Sequence, residues 1–340
     1  MDIEIIEKYL SDLCNTPSPT GYTKKAEKYL LDEFEKLGYE TTHTQKGTVI
    51  AKISEGKGNG LILSAHVDTL GLMVRSIKSN GRLMVTPLGG YPLNYAEQEN
   101  VVVHTRDGKE YTGTFRLNEP AVHGSKDPYD KERKAENMEV VLDLVVKDDK
   151  EVEEYGISAG DFISFDPRFQ IRNGFVKSRH LDDKASSAML LALAKEIKEE
   201  NIKLNRDIYM MFTVYEEVGH GATSNHPEGI VDMLAVDMGV VYDDLKTDEY
   251  KVSICAKDSS GPYDYDFTSE LIDIAKKENL DYAVDIYPLY GSDASAARMA
   301  DHDYRFALVG AGIANSHGYE RTHEKSLENT YKLLYNYIQK

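Results

Sequence analysis

Five segments of this chain place an acid or a histidine where an apolar run ends or a helix begins. Ala65-His66-Val67-Asp68 directly follows the apolar run Leu61–Ser64. An imidazole nitrogen is a good ligand for zinc or cobalt, and a nearby carboxylate can fix its tautomer. Alternation along an extended chain puts His66 and Asp68 on one side. Asp182 stands in Arg179-His180-Leu181-Asp182-Asp183-Lys184, where an extended stretch gives way to a helix. Read alone, this acidic pair is a helix cap with a first-turn charge. Asp182 nevertheless has two oxygens and can bridge two cations, which a histidine cannot. Asp183 and Lys184 are expected to support the turn or cap the helix.

Glu216 and Glu217 follow an apolar strand that ends at Val214, and adjacent acids there can diverge, one towards a metal and one towards a water. Asp237 closes the short apolar run Leu234–Val236. In Ser316-His317-Gly318-Tyr319-Glu320-Arg321-Thr322-His323 either histidine can ligate, and spacing does not choose between them. Singly, each segment reads as an ordinary surface acid or a hydrogen-bonded histidine. Together they supply two histidines, a bridging aspartate, one further aspartate, one glutamate and a spare glutamate. That is the inventory of a two-metal hydrolytic site, in which ions about 3.5–4 Å apart lower the pKa of a water and polarise a carbonyl. Glu216 would take the water's proton and pass it to the leaving amine.

The elements that must hold these residues follow from periodicity. Ile6, Leu10, Leu13 and Cys14 predict a helix that stops before Pro17; Ala26, Tyr29, Leu30, Phe34 and Leu37 predict a second, capped by Gly38. Gly47–Ile53 and Leu61–Ala65 read as strands, the latter buried. Helices alternating with strands imply an α/β layered domain. From about residue 71 to 170 short strand-like runs dominate. Val101–Thr105 and Glu110–Phe115 flank Arg106-Asp107-Gly108-Lys109, a hairpin signal. This stretch reads as a β-rich domain inserted into the first, so residues 1–70 and 171–340 form one discontinuous domain. The α/β pattern resumes with a helix from about Asp183 to Glu199, strands at Asp207–Val214, Leu234–Val236 and Tyr304–Val309, and a terminal helix.

Composition narrows the function classes. A formal charge of −18 argues against nucleic acid or an anionic membrane as partner. Two cysteines in 340 residues are too few for a disulfide framework. Met1-Asp2-Ile3-Glu4 lacks the basic and apolar regions of a signal peptide, so a cytoplasmic protein is expected.

The ordered set His66-Val-Asp68, Leu-Asp182-Asp183-Lys, Glu216-Glu217-Val-Gly, Val-Asp237 and His323 resembles the dinuclear metallo-aminopeptidases called tetrahedral aminopeptidases, which include glutamyl and deblocking enzymes. The resemblance runs over essentially the whole chain, including Gly156–Asp161 and Gly291-Ser292-Asp293-Ala294. It implies an α/β fold with a mixed central sheet flanked by helices, zinc-peptidase-like, carrying a small inserted β-barrel-like domain. It implies two divalent metal ions per chain, zinc or cobalt: one on His66 and Asp237, one on Glu217 and His323, with Asp182 bridging. Glu216 would be the general base, and Asp68 would orient His66. Gly291 and Asp293 would lie at the substrate pocket, and the Asp182–Asp183 peptide bond would be cis. The insertion resembles the family's dimerisation domain, so a homo-oligomer is expected, a dimer or a dodecameric shell, acting on peptide substrates. Ser292 stands where threonine is usual and Glu324 where serine is usual, which leaves the side-chain preference open.

A related two-metal amidohydrolase, such as a carboxypeptidase or an N-acyl amino acid deacylase, shares the ligand order. In those enzymes the inserted domain follows the bridging acid and the Glu-Glu pair, whereas here it lies between His66 and Asp182. An endoglucanase could use two carboxylates but would leave both histidines idle. A catalytically silent scaffold would be expected to have lost a ligand or the base.

Overall fold

The computed structural model describes residues 2–56 and 58–340, which form two compact units, residues 2–56, 58–68 and 168–340 in one and residues 69–167 in the other. The larger unit opens with α1 (Ile3–Cys14), which Asp2 caps by accepting from the Glu4 N–H. Helix α2 (Lys24–Leu37) ends on Gly38 at φ 71°, the left-handed position where glycine carries no Cβ penalty. Strands β1 (Glu40–His43), β2 (Val49–Ser54) and β3 (Gly60–His66) follow. After the inserted unit come α3 (Leu181–Glu199), β4 (Ile208–Thr213), β5 (Ile230–Val240), β6 (Val252–Asp258), α4 (Tyr265–Lys277), β7 (Tyr282–Ile286), α5 (Asp293–Met299), β8 (Arg305–Ile313) and α6 (Glu324–Ile338).

The strands make a nine-stranded mixed sheet, with the order β1-β2-β4-β3-β5-β8-β6 and short Gly261–Pro262 beyond β6; β7 also pairs with β6. β4, β3, β5 and β8 are mutually parallel, so their C-terminal ends share one edge. Every residue of β3 is buried, as a parallel strand covered on both faces requires. The packing is close enough at β5 and β8 that a Cβ on Gly310 would stand 1.7 Å from the Asp237 carbonyl oxygen, so only glycine fits there. β5 runs four residues beyond each end of the predicted Leu234–Val236 segment. Its early Asp232 is buried because Arg206 and Arg305 both pair with it at 2.8 Å.

Helix α3 is buried from Leu181 to Ala194, and α1 packs along it. The Lys184 ammonium is fully buried and donates to the Leu13 and Thr16 carbonyls, both at 2.7 Å, tying it to the end of α1. Burial pushes that amine down to about 8. A separate three-stranded sheet joins Gln170–Arg172, Phe175–Ser178 and Glu320–His323. The main core gathers Leu10, Leu30, Phe34, Leu63, Leu190 and Phe212 among others, each worth about 1.5–3 kcal/mol when withdrawn from water.

The second unit is a closed barrel of Gly71–Ile77, Leu83–Leu88, Met138–Leu142, Glu110–Leu117, Asn100–His104 and Phe162–Phe165, in that order around it. Closure leaves no free sheet edge. Leu72, Val85, Val103, Phe115 and Val140 fill its interior. The hairpin at Asp107-Gly108 forms, with His104 opposite Glu110 and Gly108 at φ 83°. Asp149–Glu154 is a short helix capped by Asp148.

Candidate metal centre and cleft

His66 ends β3, and its neighbour in register on β4 is Thr213, so the turn after β4 emerges beside it. Its Nδ1–H donates to the Asp68 backbone carbonyl at 2.9 Å. That fixes the tautomer and turns Nε2 towards Asp182 Oδ1 at 3.2 Å and Glu216 Oε2 at 3.6 Å. The orienting group is thus the Asp68 main chain; its carboxylate oxygen stands 3.6 Å from Nδ1. The Asp68 carboxylate instead accepts from Thr20 Oγ1 at 2.7 Å and from the Glu216 N–H at 3.1 Å, pinning the Glu216-Glu217 turn.

Asp182 sits where α3 begins, in non-helical backbone, and its peptide bond to Asp183 is cis. The buried Asp183 accepts from the His66 N–H at 3.2 Å. The small residues next to it work as ties. Ser187 donates to the His66 carbonyl and Ser186 to the Asp237 carbonyl, each at 3.1 Å, holding α3 against β3 and β5. His180, Tyr215 and His317 all have φ near 70°, an unfavourable region for side chains that clusters at functional sites.

Two groups of donor atoms result, each within 4.8 Å of one another: His66, Asp182 and Asp237, and Asp182, Glu217 and His317. His317 Nε2 lies 3.5 Å from Asp182 Oδ2 and 3.6 Å from Glu217 Oε2. The histidine brought beside Asp182 and Glu217 is therefore His317, whereas the resemblance implied His323. His323 caps α6, its Nδ1 accepting from the Lys325 N–H at 3.1 Å, and its ring meets Phe175 edge-on with centroids 4.7 Å apart. Strand alternation explains the difference. Along Glu320–His323, Arg321 and His323 face Phe175, whereas Glu320 faces the centre. There the Glu320 carboxylate accepts from the Asp182 N–H at 3.0 Å and the His317 N–H at 2.9 Å, clamping both backbones. Sequence reasoning missed Glu320; its only signal was an acid three residues after a histidine.

A cleft of about 430 Å³ opens over the donors and is lined beyond them by Met238, Val240, Leu289, Tyr290, Gly291 and Met299, among others. Gly291 lies on its wall. Asp293 does not line it: its carboxylate is buried beneath, accepting from Thr213 Oγ1 at 2.7 Å, and a Cβ on Gly221 would stand 1.9 Å from its other oxygen.

The family model described as M42 glutamyl aminopeptidase matches residues 47–333. The chain belongs to this family. It is 47% identical over 332 residues to "Putative aminopeptidase YhfE" of Bacillus subtilis (strain 168), covering 97% of this chain and 96% of that one. The TET aminopeptidase from the marine sediment archaeon Thaumarchaeota archaeon SCGC AB-539-E09 superposes with a TM-score of 0.89 at 21% identity, over 98% of this chain and 97% of its own. The Pyrococcus horikoshii TET1 peptidase, described as able to assemble into a tetrahedron or a large octahedral shell, gives 0.85 at 24% identity, over 98% and 99%. The M42 chain is accordingly a peptide hydrolase, and among its described residues no helix is long and apolar enough to cross a membrane.

The electrostatics of the M42 site fit cations. Burial, reinforced by Asp182, drives the Glu217 carboxyl up to about 8 and the Asp237 carboxyl to about 7; burial likewise raises Glu216, with Asp237 and Asp293 adding to it. Burial would raise Asp182 too, but hydrogen bonds from His317 and His66 outweigh it and hold Asp182 low. Burial opposes charge on His66, yet Asp182, Glu216, Asp68 and Asp237 together raise it. With Nδ1–H committed to a carbonyl, the Nε2 lone pair faces carboxylate oxygens unless a proton or a cation intervenes. Nitrogen and oxygen donors in this surplus of negative charge suit divalent ions such as zinc.

A pH dependence follows for the metal-free protein. Glu217 and Asp237 have folded pKa values above their unfolded ones, so the unfolded chain binds fewer protons between them. Their contribution to stability is full below about pH 4, near the unfolded carboxylate pKa values, and is lost as pH rises through about 7 to 8. Thermal melts of metal-free protein from pH 5 to 8.5 should show Glu217→Gln losing less Tm with rising pH than the parent. Parallel slopes would remove Glu217 from this account.

Proposed function

We propose that the chain is a metal-dependent aminopeptidase that removes N-terminal residues from peptides. His66, Asp182 and Asp237 would hold one divalent ion and Asp182, Glu217 and His317 a second, zinc or cobalt. The observation that carries this reading is Asp182, whose Oδ1 faces His66 while Oδ2 faces His317, one carboxylate shared between two donor groups. Two ions bound there would supply Lewis acidity, lowering a water's pKa towards about 7 and polarising the peptide carbonyl.

The chain's own residues do the rest. Glu216, at the cleft with Oε2 3.6 Å from His66 Nε2, is placed to take a proton from the attacking water and return it to the leaving amine. Asp68 holds the Glu216 backbone still, so the base is positioned before substrate arrives. Asp182 and His317 are kept in place by Glu320. The likeness to the P. horikoshii TET1 peptidase supports self-assembly of this chain through like copies. The two free, buried cysteines suit a reducing cytoplasm.

The test is a metal titration. Metal-depleted protein receiving zinc or cobalt should hydrolyse an aminoacyl-p-nitroanilide with activity that plateaus near two ions per chain. The N-acetylated counterpart should stay intact. A plateau at one ion, or cleavage of the blocked substrate alone, would overturn the reading.

A further inference from the structure

Beyond the atoms that would hold metal or move a proton, the cleft is walled by apolar groups. Met238 forms part of the floor next to Asp237, and Val240, Tyr290 and Ala296 continue the wall. At the rim, Leu289 is 95% exposed and Met299 69% exposed. Large apolar side chains left in water beside a cleft are a mark of a ligand-binding surface. The Tyr290 hydroxyl is engaged within the protein, donating to the Met238 carbonyl at 3.2 Å and lying beside the Asp237 carboxylate.

Two polar members of the wall, Ser292 and Ser295, are also engaged within the protein. Ser295 Oγ accepts from the Ser292 N–H at 2.6 Å and donates to the Ser292 carbonyl at 2.9 Å. Ser292 Oγ lies 3.1 Å from the Tyr263 hydroxyl, which itself donates to Asp258. Among the described residues no lysine or arginine lines the cleft, and the acids that do are the four of the candidate metal and base set, Asp182, Glu216, Glu217 and Asp237.

We infer that this cleft selects a peptide whose N-terminal side chain is uncharged and apolar, of the leucine, methionine or phenylalanine class. The inference rests on the aminopeptidase reading above. A glutamyl side chain would carry its carboxylate into a site already crowded with acids and without a cation of its own. A lysyl ammonium would find no acid that is not already assigned. Placing either charge there without a partner is costly. The chain's net charge of −18 therefore does not translate into a preference for basic residues at this wall. Met299 and Leu289 would be specificity-determining, covering the distal part of the side chain.

The experiment compares kcat/KM of the metal-loaded enzyme on leucyl-, methionyl-, phenylalanyl-, glutamyl- and lysyl-p-nitroanilide, with Met299→Arg as the variant. Met299 is largely exposed, so the variant should fold, and a thermal melt checks that it does. The parent should prefer the apolar substrates over both charged ones by at least about 10-fold, the scale of discrimination a pocket of this type provides. Met299→Arg should narrow the leucyl-to-glutamyl ratio by about 10-fold by giving the carboxylate a partner. Equal or better hydrolysis of glutamyl or lysyl substrate by the parent overturns the inference while leaving the aminopeptidase reading intact. An unchanged ratio in a folded Met299→Arg removes that residue from the subsite. Cleavage of no substrate by metal-loaded enzyme overturns the aminopeptidase reading and the inference with it.

Discussion

Glu216→Gln is expected to lower kcat by about 10²–10⁴-fold, the usual contribution of a positioned general base. That corresponds to about 3–5 kcal/mol of barrier. The amide keeps the shape of the carboxylate but cannot accept the water's proton. Glu216 lies outside both donor groups, so two ions per chain should remain bound. Its backbone N–H still donates to Asp68, so the turn should also hold. Steady-state kinetics together with metal analysis on the same preparation checks this. Retention of more than a tenth of kcat would mean that Glu216 is not the base. Loss of metal along with activity would mean that Glu216 acts as a ligand instead.

The paired variants His317→Ala and His323→Ala should behave oppositely. His317→Ala removes one of the three donors in the Asp182, Glu217 and His317 group, and affinity for one ion should fall by more than the 10–100-fold typical of losing a mere supporting group. Activity should fall with it and return only in excess metal. His323→Ala should keep both ions and most activity. It should instead melt earlier, because it loses an N-cap contact worth about 1 kcal/mol and an edge-on contact with Phe175 worth about 0.5–1.5 kcal/mol. Isothermal titration with zinc and thermal melts on both variants separate the two cases. Metal loss in His323→Ala with none in His317→Ala would reverse the assignment.

Legibility in the sequence tracked how local the determining physics is. Helix α2 was readable to its last residue because apolar spacing and a left-handed glycine are both local. The hairpin at Asp107-Gly108 was readable for the same reason. The extent of β5 was not. Asp232, Asp237 and Gly239 interrupt its apolar pattern, and they are tolerated only because Arg206, Arg305, the candidate metal site and close-packed neighbours meet them in three dimensions.

The site divides along the same line. That His66, Asp182, Glu216, Glu217 and Asp237 converge could be argued from the sequence. Each ends or opens an element, and parallel strands deliver such ends to one edge. Choosing between His317 and His323 depended on the face that Glu320–His323 presents when it pairs with Phe175–Ser178, a strand more than a hundred residues earlier. A shift of one residue in that pairing would exchange the faces. The Glu320 clamp and the main-chain carbonyl of Asp68 were hidden for a related reason. Each acts through a hydrogen bond whose partner is set by backbone position, not by residue type. The sequence by itself thus determined the chemical inventory and the edge where it gathers. Tertiary structure alone decided which histidine turns inward and which apolar side chains wall the cleft.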